Sequence, residues 1–187
     1  MARAAGEQTL YAALEALSEG LTGEILQGQL HTQPRPATPH LLAAFNLGGE
    51  LRDPYCRGRG GPGGWWILAE PELHFVRDTE VAVPDLAGWR RERMPALPED
   101  QRCEIVPDWV CEILSPSTRS KDREIKMPLY AKRGIRHLWL VDPAARTLEA
   151  YAQEGAAWAS LAVFGATDEV TAAPFEAASF RLGELWT

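Results

Sequence analysis

The stretch from Pro107 to Thr118, PDWVCEILSPST, has the pattern of a buried β-strand that runs into a turn. Alternation along the strand gives both faces apolar side chains: Trp109, Cys111 and Ile113 on one, Val110 and Leu114 on the other. A strand that is apolar on both faces lies centrally in its sheet and is covered on both sides. Glu112 is the exception, because a buried carboxylate is costly unless a cation pairs with it or a metal binds it.

The elements around this strand indicate an α/β fold. Helices are predicted over residues 8–17, from Thr38-Pro39 to about Leu51, and after the turn at 115–118 to about Arg133, with Gly134 as the residue that ends it. Strands are predicted at 65–70 and 73–77, joined by a tight turn, at 81–89, ending near Asp85, and at 137–142. Residues 23–33 are expected to form a strand or a short hairpin, and a hairpin is expected at 147–164. Helices and strands in this order predict a mixed sheet flanked by helices.

Composition indicates one globular domain over residues 1–187. The chain is 45% hydrophobic and 24% charged, which suffices for one core. No apolar run approaches the roughly 18 residues of a membrane span, and Glu7 and Glu15 interrupt the amino-terminal apolar residues. We therefore expect a cytoplasmic protein without a membrane partner. The three cysteines are odd in number and widely spaced, so neither a zinc site nor a disulfide framework is predicted.

The charge is unevenly distributed. The net charge of −7 argues against a dedicated non-specific nucleic-acid binder. The window from Ser115 to Arg136, however, holds seven basic and two acidic residues, so it carries +5 and the remainder −12. This basic window is either a surface for phosphates or an ordinary solvated helix face.

A second carboxylate and a lysine accompany Glu112. Asp85 follows the apolar run Val81 to Pro84, and two acids on neighbouring strands can share a divalent cation. The backbone carbonyl of Ile113 or Leu86 would add a ligand. Lys126 lies in the helix that follows the strand. If this helix folds back over the sheet, it brings the lysine toward Glu112. Because Pro128 breaks a helical hydrogen bond, the regular helix is expected to begin near Glu124 or to kink there.

Three segments of the chain resemble a known family. They are VPD (83–85), PDWVCEILSPST (107–118) and DREIKMPLYAKRGIRHLWLVDP (122–143). They look like the PD-(D/E)XK phosphodiesterase superfamily, and within it like the bacterial Uma-two family, long a domain of unknown function. The resemblance extends from about residue 23 to 151. It implies a restriction-endonuclease-like mixed β-sheet flanked by helices, here with an amino-terminal helix and strand extension, and Mg²⁺- or Mn²⁺-dependent cleavage of nucleic-acid phosphodiesters.

The resemblance assigns residues to this site. Asp85 and Glu112 are the two metal-binding acids, and Lys126 takes the place of a superfamily lysine whose usual position holds Leu114. Glu24 matches an amino-terminal acid of the family, whereas Gln29 stands where the family often has another acid. Glu24 is accordingly an accessory candidate at most.

Other readings of these residues stay open. Glu112 can pair with Arg119 or Lys126 as a structural salt bridge, and Lys126 can pair with Asp122 one helical turn away. Asp108 is expected to cap the strand entrance. His40, in the first turn of a helix, is expected to be a surface or capping residue. Glu70 either lines the cleft beside Asp85 or closes a hairpin.

These observations lead to one functional hypothesis and two rivals. The hypothesis is a Mg²⁺-dependent DNA endonuclease in which Asp85, Glu112 and Lys126 are catalytic and the metal also meets the Ile113 carbonyl. Arg119, Lys121 and Arg123 contact the nucleic acid, and a dimer or larger homo-oligomer joins two basic windows. The rivals are a non-catalytic binding protein of the same fold and a phosphodiesterase acting on small molecules.

Overall fold

The computed structural model describes residues 8–187. Residues 1–7, and with them Glu7 of the amino-terminal stretch considered above, lie outside this range. The first helix, α1 (Leu10–Glu15), is shorter than the predicted 8–17 and begins where the Thr9 hydroxyl accepts a hydrogen bond from the Ala12 N–H at 3.1 Å. The antiparallel hairpin of β1 (Leu21–Leu26) and β2 (Gln29–Pro34) follows, as predicted.

A six-stranded mixed sheet has the strand of the opening sequence at its centre. The order is β11-β10-β9-β8-β6-β3, with β8 spanning Trp109–Ile113. The other strands are β3 (Trp65–Ala69), β6 (Leu86–Arg90), β9 (His137–Asp142), β10 (Thr147–Glu154) and β11 (Ala157–Phe164). β8 pairs parallel with β9 and antiparallel with β6, and all five of its residues are buried. The predicted central strand is therefore confirmed.

A second mixed sheet has no counterpart in the sequence-based expectation of a single sheet. Its order is β2-β1-β5-β4-β7, and its remaining strands are β4 (Glu72–Val76), β5 (Glu80–Ala82) and β7 (Arg102–Cys103). The tight turn predicted to join strands 65–70 and 73–77 into a hairpin instead carries the chain from one sheet to the other. Hydrophobic alternation indicates which face of a strand is buried, but not which sheet the strand joins. The pattern therefore cannot distinguish a hairpin within one sheet from a connection between two sheets.

The strand predicted over 81–89 is likewise two strands in different sheets. It breaks at Val83–Asp85, between β5 and β6, so Asp85 precedes β6 instead of ending an apolar strand. Pro84 lacks the N–H that a ladder needs, which accounts for the interruption. At this crossing the two sheets come together.

Helix α2 (Thr38–Leu51) continues through a π-helical turn, Arg52–Arg57, and covers one face of the six-stranded sheet. Its buried residues Ala43, Leu47 and Leu51 recur every four positions and pack in the same cluster as Trp109, Cys111 and Ile113. The cap position is Ala37, one residue earlier than the predicted Thr38. The fixed φ of Pro39 suits this first turn.

The helix after β8 contains an irregular turn around Glu124, where a kink was one of the two predicted outcomes. It runs from α3 (Arg119–Lys121) through a π-helical turn, Asp122–Lys126, into α4 (Met127–Lys132). Pro128 has no N–H for the regular ladder, and the wider turn before it accommodates that loss. Gly134, at φ +82°, follows the helix as predicted.

The carboxyl-terminal part closes the core below the six-stranded sheet. It contains β12 (Glu169–Val170), β13 (Phe180–Arg181) and a 3₁₀ helix, Leu182–Trp186. Four tryptophans are buried, as expected for core residues: Trp65, Trp89, Trp109 and Trp139. All three cysteines are free thiols. Within residues 8–187 no helix has the length and apolar character needed to cross a membrane.

Candidate active site

Lys126 lies at the centre of a buried charge cluster. Its side chain is 2% exposed, and its Nζ lies 2.8 Å from Oε1 of Glu112 and 2.9 Å from Oε1 of Glu24. Asp122 Oδ1 is more distant, at 3.9 Å. Burial by itself lowers the pKa of Lys126, but the carboxylates of Glu112 and Glu24 outweigh it and hold the pKa well above its usual value. The two carboxylates therefore favour the charged form of this buried lysine.

Glu112 lies within this cluster as a carboxylate with two donors. Tyr130 donates a hydrogen bond from its hydroxyl to Oε1 at 2.6 Å, and Lys126 approaches the same oxygen. Burial raises the pKa of Glu112 well above its ordinary value, since Lys126 offsets only part of the desolvation cost and nearby carboxylates add to it. The structural salt bridge considered for Glu112 is thus present, with Lys126 and not with Arg119.

Glu24 binds the backbone of the segment Val83–Asp85, where the chain passes from one sheet to the other. Its carboxylate is therefore not free in the cavity. Its Oε1 accepts a hydrogen bond from the Val83 N–H at 2.9 Å, while Lys126 donates to the Val83 carbonyl at 3.1 Å. Lys121 pairs with the other Glu24 oxygen. Both backbone groups of Val83 are thereby fixed, two residues before Asp85. Glu24 therefore acts on the segment before Asp85 through its backbone.

Asp85 lies opposite Glu112 across neighbouring strands. Leu86 pairs with Cys111 in the antiparallel register of β6 and β8, and one further step of that register sets Asp85 against Glu112. Its Oδ2 accepts a hydrogen bond from the Ile113 N–H at 2.6 Å. Among the described residues, the carboxylates within 4.0 Å of Lys126 do not include Asp85. The site therefore has a buried half around Lys126 and a more open half at Asp85.

His40 completes the open half, contrary to the expectation of a surface or capping histidine. Its Nε2 lies 2.7 Å from Oδ1 of Asp85, and its side chain is only 12% exposed. A signal for this position was present in the sequence, because His40 shares the helical stripe of Ala43, Leu47 and Leu51. Burial lowers the pKa of His40, but the hydrogen bond to Asp85 and its charge more than compensate, so the pKa is raised.

A cavity of about 580 Å³ opens over Asp85 and His40. Glu24 and Glu70 also line it, together with the Ser115–Thr118 turn and an apolar wall that includes Leu14 and Leu17. The Glu70 N–H donates to the Asp85 carbonyl at 3.0 Å, which places Glu70 beside the cleft, one of the two positions considered for it. Asp108, by contrast, accepts a hydrogen bond from the Arg90 N–H at 2.9 Å, as expected for a capping residue.

The basic window is largely neutralised by acids of the same chain. Arg119 pairs with Asp142, Lys121 with Glu24, and Arg123 with Glu149. Arg119 is the most exposed of the three, at 46% of its side chain. Any anion that binds here competes with these carboxylates, so this window is weaker as a phosphate-binding surface than its charge of +5 suggests.

A hard divalent cation needs oxygen ligands and an excess of negative groups around it. Four carboxyl groups (Glu24, Asp85, Glu112 and Asp122) meet two lysines (Lys121 and Lys126), so the acids of the cluster outnumber its bases by two. Within the part of the chain that the structure describes, no three histidine, cysteine or acidic side chains are clustered as metal ligands. Mg²⁺ nevertheless uses as few as one or two carboxylates with waters, and Asp85 and Glu112 meet that requirement. The residues fit such a cation in charge and chemistry.

A family model described as “Uma2: Putative restriction endonuclease” matches residues 9–183. A crystal structure described as a “putative nuclease belonging to DUF820” from Anabaena variabilis ATCC 29413 is similar to the chain, with a TM-score of 0.75 and 21% identity, over 95% of this chain and 97% of that one. At that identity the similarity shows the fold alone. No curated protein sequence matches the chain.

Proposed function

Because the chain belongs to the Uma2 family, described as a putative restriction endonuclease, we propose that it is a divalent-metal-dependent endonuclease that hydrolyses phosphodiester bonds of DNA. The observation that carries the proposal is the position of Asp85 opposite the buried Lys126–Glu112 pair, at a cavity open to substrate. A cluster of buried ionisable groups whose pKa values are perturbed by burial and by one another, beside a cavity, is a candidate functional site. The same arrangement supports a restriction-endonuclease-like reading of the two-sheet fold.

Asp85, Glu112 and the backbone carbonyl of Ile113 would hold Mg²⁺ or Mn²⁺. When bound, such an ion lowers the pKa of a coordinated water and offsets charge on the scissile phosphate. Asp85 presents its carboxylate from the wall of the cavity, and Glu112 presents its own from the buried side. The Ile113 N–H, by donating to Asp85 at 2.6 Å, limits the rotation of that carboxylate. The ligands are therefore already ordered before the ion arrives.

Lys126 has two roles in this proposal. From a distance of 2.8 Å it offsets part of the cost of ionising the buried Glu112. Its fixed positive charge also favours the extra negative charge that develops on the phosphate in the transition state. Tyr130, through its 2.6 Å hydrogen bond, keeps Glu112 directed toward this position.

DNA is the proposed partner, and Arg119, Lys121 and Arg123 are the residues proposed to contact it. All three pair with acids and the whole chain carries −7, so one chain offers little net attraction to phosphates. A dimer or larger homo-oligomer would join two basic windows on one duplex and raise affinity by adding phosphate contacts. We therefore propose that the active protein is such an oligomer. We also propose that it lies in the cytoplasm.

Plasmid cleavage with matched variants tests the proposal. Supercoiled DNA is incubated with the protein and Mg²⁺ or Mn²⁺, and nicked and linear forms are measured over time. We expect wild-type cleavage that chelation abolishes and that Asp85→Asn and Glu112→Gln each reduce at least about 100-fold, as for loss of one strong electrostatic contribution. Glu154→Gln, which neutralises an exposed carboxylate on β10 away from the cavity, is the matched control and should retain wild-type rates.

Two results would replace this proposal. Cleavage of bis(p-nitrophenyl) phosphate without cleavage of plasmid would assign the site to small phosphodiesters. Calorimetry that detects no Mg²⁺ or Mn²⁺ binding, with no cleavage of either substrate, would make the chain a non-catalytic protein of the family.

A further inference from the structure

His40 and Asp85 are joined by a short contact that the proposed chemistry does not yet use. The two atoms, Nε2 of His40 and Oδ1 of Asp85, are 2.7 Å apart. The other oxygen of Asp85 accepts from the Ile113 N–H. Each carboxylate oxygen of Asp85 thus has one donor from a different element, one from α2 and one from β8.

His40 is firmly anchored in the fold. One and two turns further along α2, Ala43 and Leu47 are fully buried in the core below the six-stranded sheet. Pro39 restricts the backbone immediately before the histidine, and the His40 N–H bonds the Ala37 carbonyl at 3.0 Å. Because the helix cannot move without disturbing this core, the imidazole is a rigid donor.

The second ring nitrogen of His40 supports the same assignment. Nδ1 is buried and has no hydrogen-bond partner among residues 8–187, so no contact in that part of the chain competes with Asp85 for the ring. The neutral tautomer with its proton on Nε2 matches this environment, because Nδ1 then has no N–H to satisfy. The Nε2–H therefore donates to Asp85.

We propose that His40 is a positioning residue that fixes the carboxylate of Asp85 for divalent-cation binding. This inference rests on the proposed function, since it concerns the same site. Carboxylates that bind metals are generally oriented by hydrogen bonds from a surrounding layer of residues, and loss of such a partner weakens metal affinity about 10–100-fold. With the Ile113 N–H as its remaining donor, the Asp85 carboxylate can rotate about one hydrogen bond. Metal binding then has to order the carboxylate, which costs conformational entropy.

Mn²⁺ binding measured by isothermal titration calorimetry tests the inference without reference to cleavage. His40→Ala should weaken Mn²⁺ binding about 10–100-fold, while His40→Gln, whose amide N–H₂ replaces the Nε2 donor, should recover most of the affinity. Phe45→Ala is the control on the same helix, because its side chain is 80% exposed and does not contact Asp85. It should bind Mn²⁺ as the wild type does.

The outcomes separate this inference from the function it rests on. Wild-type binding with unchanged affinity in His40→Ala overturns the positioning role and leaves the endonuclease proposal intact. No Mn²⁺ binding by the wild type overturns the metal-dependent function itself. If Mn²⁺ affinity falls equally in His40→Ala and His40→Gln, with both variants folded by circular dichroism, the positioning role is also overturned. The hydrogen-bond donor to Asp85 would then not determine the affinity.

Discussion

The Nζ atom of Lys126 lies 2.8 Å from Oε1 of Glu112, and neither side chain is more than 3% exposed. An ion pair at this depth is stable only when further hydrogen bonds satisfy its remaining groups. Tyr130, the Val83 carbonyl and Glu24 supply them. The pair is therefore part of a network in which removing one member leaves another buried and unpaired.

Lys126→Met should lower the free energy of unfolding by about 3–5 kcal/mol, because Glu112 and Glu24 lose their shared cation in a buried setting. Urea denaturation of the metal-free protein measures this difference. The double variant Lys126→Met/Glu112→Gln should recover part of the loss, since it removes an uncompensated charge as well.

Lys132→Met is the control for that series, because Lys132 is an exposed residue at the end of α4. It should change the unfolding free energy by no more than about 0.5 kcal/mol. Equal effects of the two lysine substitutions would contradict the view that Lys126 holds the cluster together.

Asp85→Asn should leave the metal-free protein about as stable as the wild type while abolishing Mn²⁺-dependent cleavage. The Asn carbonyl can still accept from the Ile113 N–H, and loss of the charge removes one of the carboxylates that raise the pKa of Glu112. The net change in stability should stay within the roughly 1.5 kcal/mol of one hydrogen bond. Thermal denaturation and plasmid cleavage on the same sample check both halves, and a large loss of stability with cleavage retained would refute the assignment.

His137 should make stability fall with acidity. It begins β9, and burial lowers its pKa below the unfolded value of 6.5. The unfolded chain then binds the proton more readily, so the contribution to stability is complete above pH 6.5 and is lost as pH falls through the folded pKa. Urea midpoints measured from about pH 7.5 to about pH 5.5 should decline more steeply for the wild type than for His137→Gln. Parallel slopes would remove His137 as a cause.

The cysteines should react unequally with a thiol reagent. Burial raises the pKa of Cys103 to about 11 and that of Cys111 well above its ordinary value, so neither forms thiolate near pH 8. Cys56 is partly exposed, although burial raises its pKa as well. Ellman's reagent should titrate no more than one thiol in the native protein and three in urea. Rapid reaction of two native thiols would contradict the buried positions.

Local pattern alone was enough for several parts of this fold. The residues of β8 and β9, the two hairpins and the end of the helix at Gly134 all agree with expectation, since each depends on periodicity or on the backbone preference of one residue. The anomaly of Glu112 also followed from sequence, because a charge in an apolar run demands a partner. Lys126 proved to be that partner.

Tertiary structure decided which residues met across long stretches of chain. His40 and Asp85 are 45 positions apart, and the basic window loses much of its charge to Glu24, Asp142 and Glu149, all from other elements. The sequence by itself determined that β8 is a buried central strand and that Glu112 within it needs a partner. Only the packing of the two sheets, joined where the chain crosses at Val83–Asp85, determined the partners, because side-chain periodicity sets the face of an element and not what lies against it.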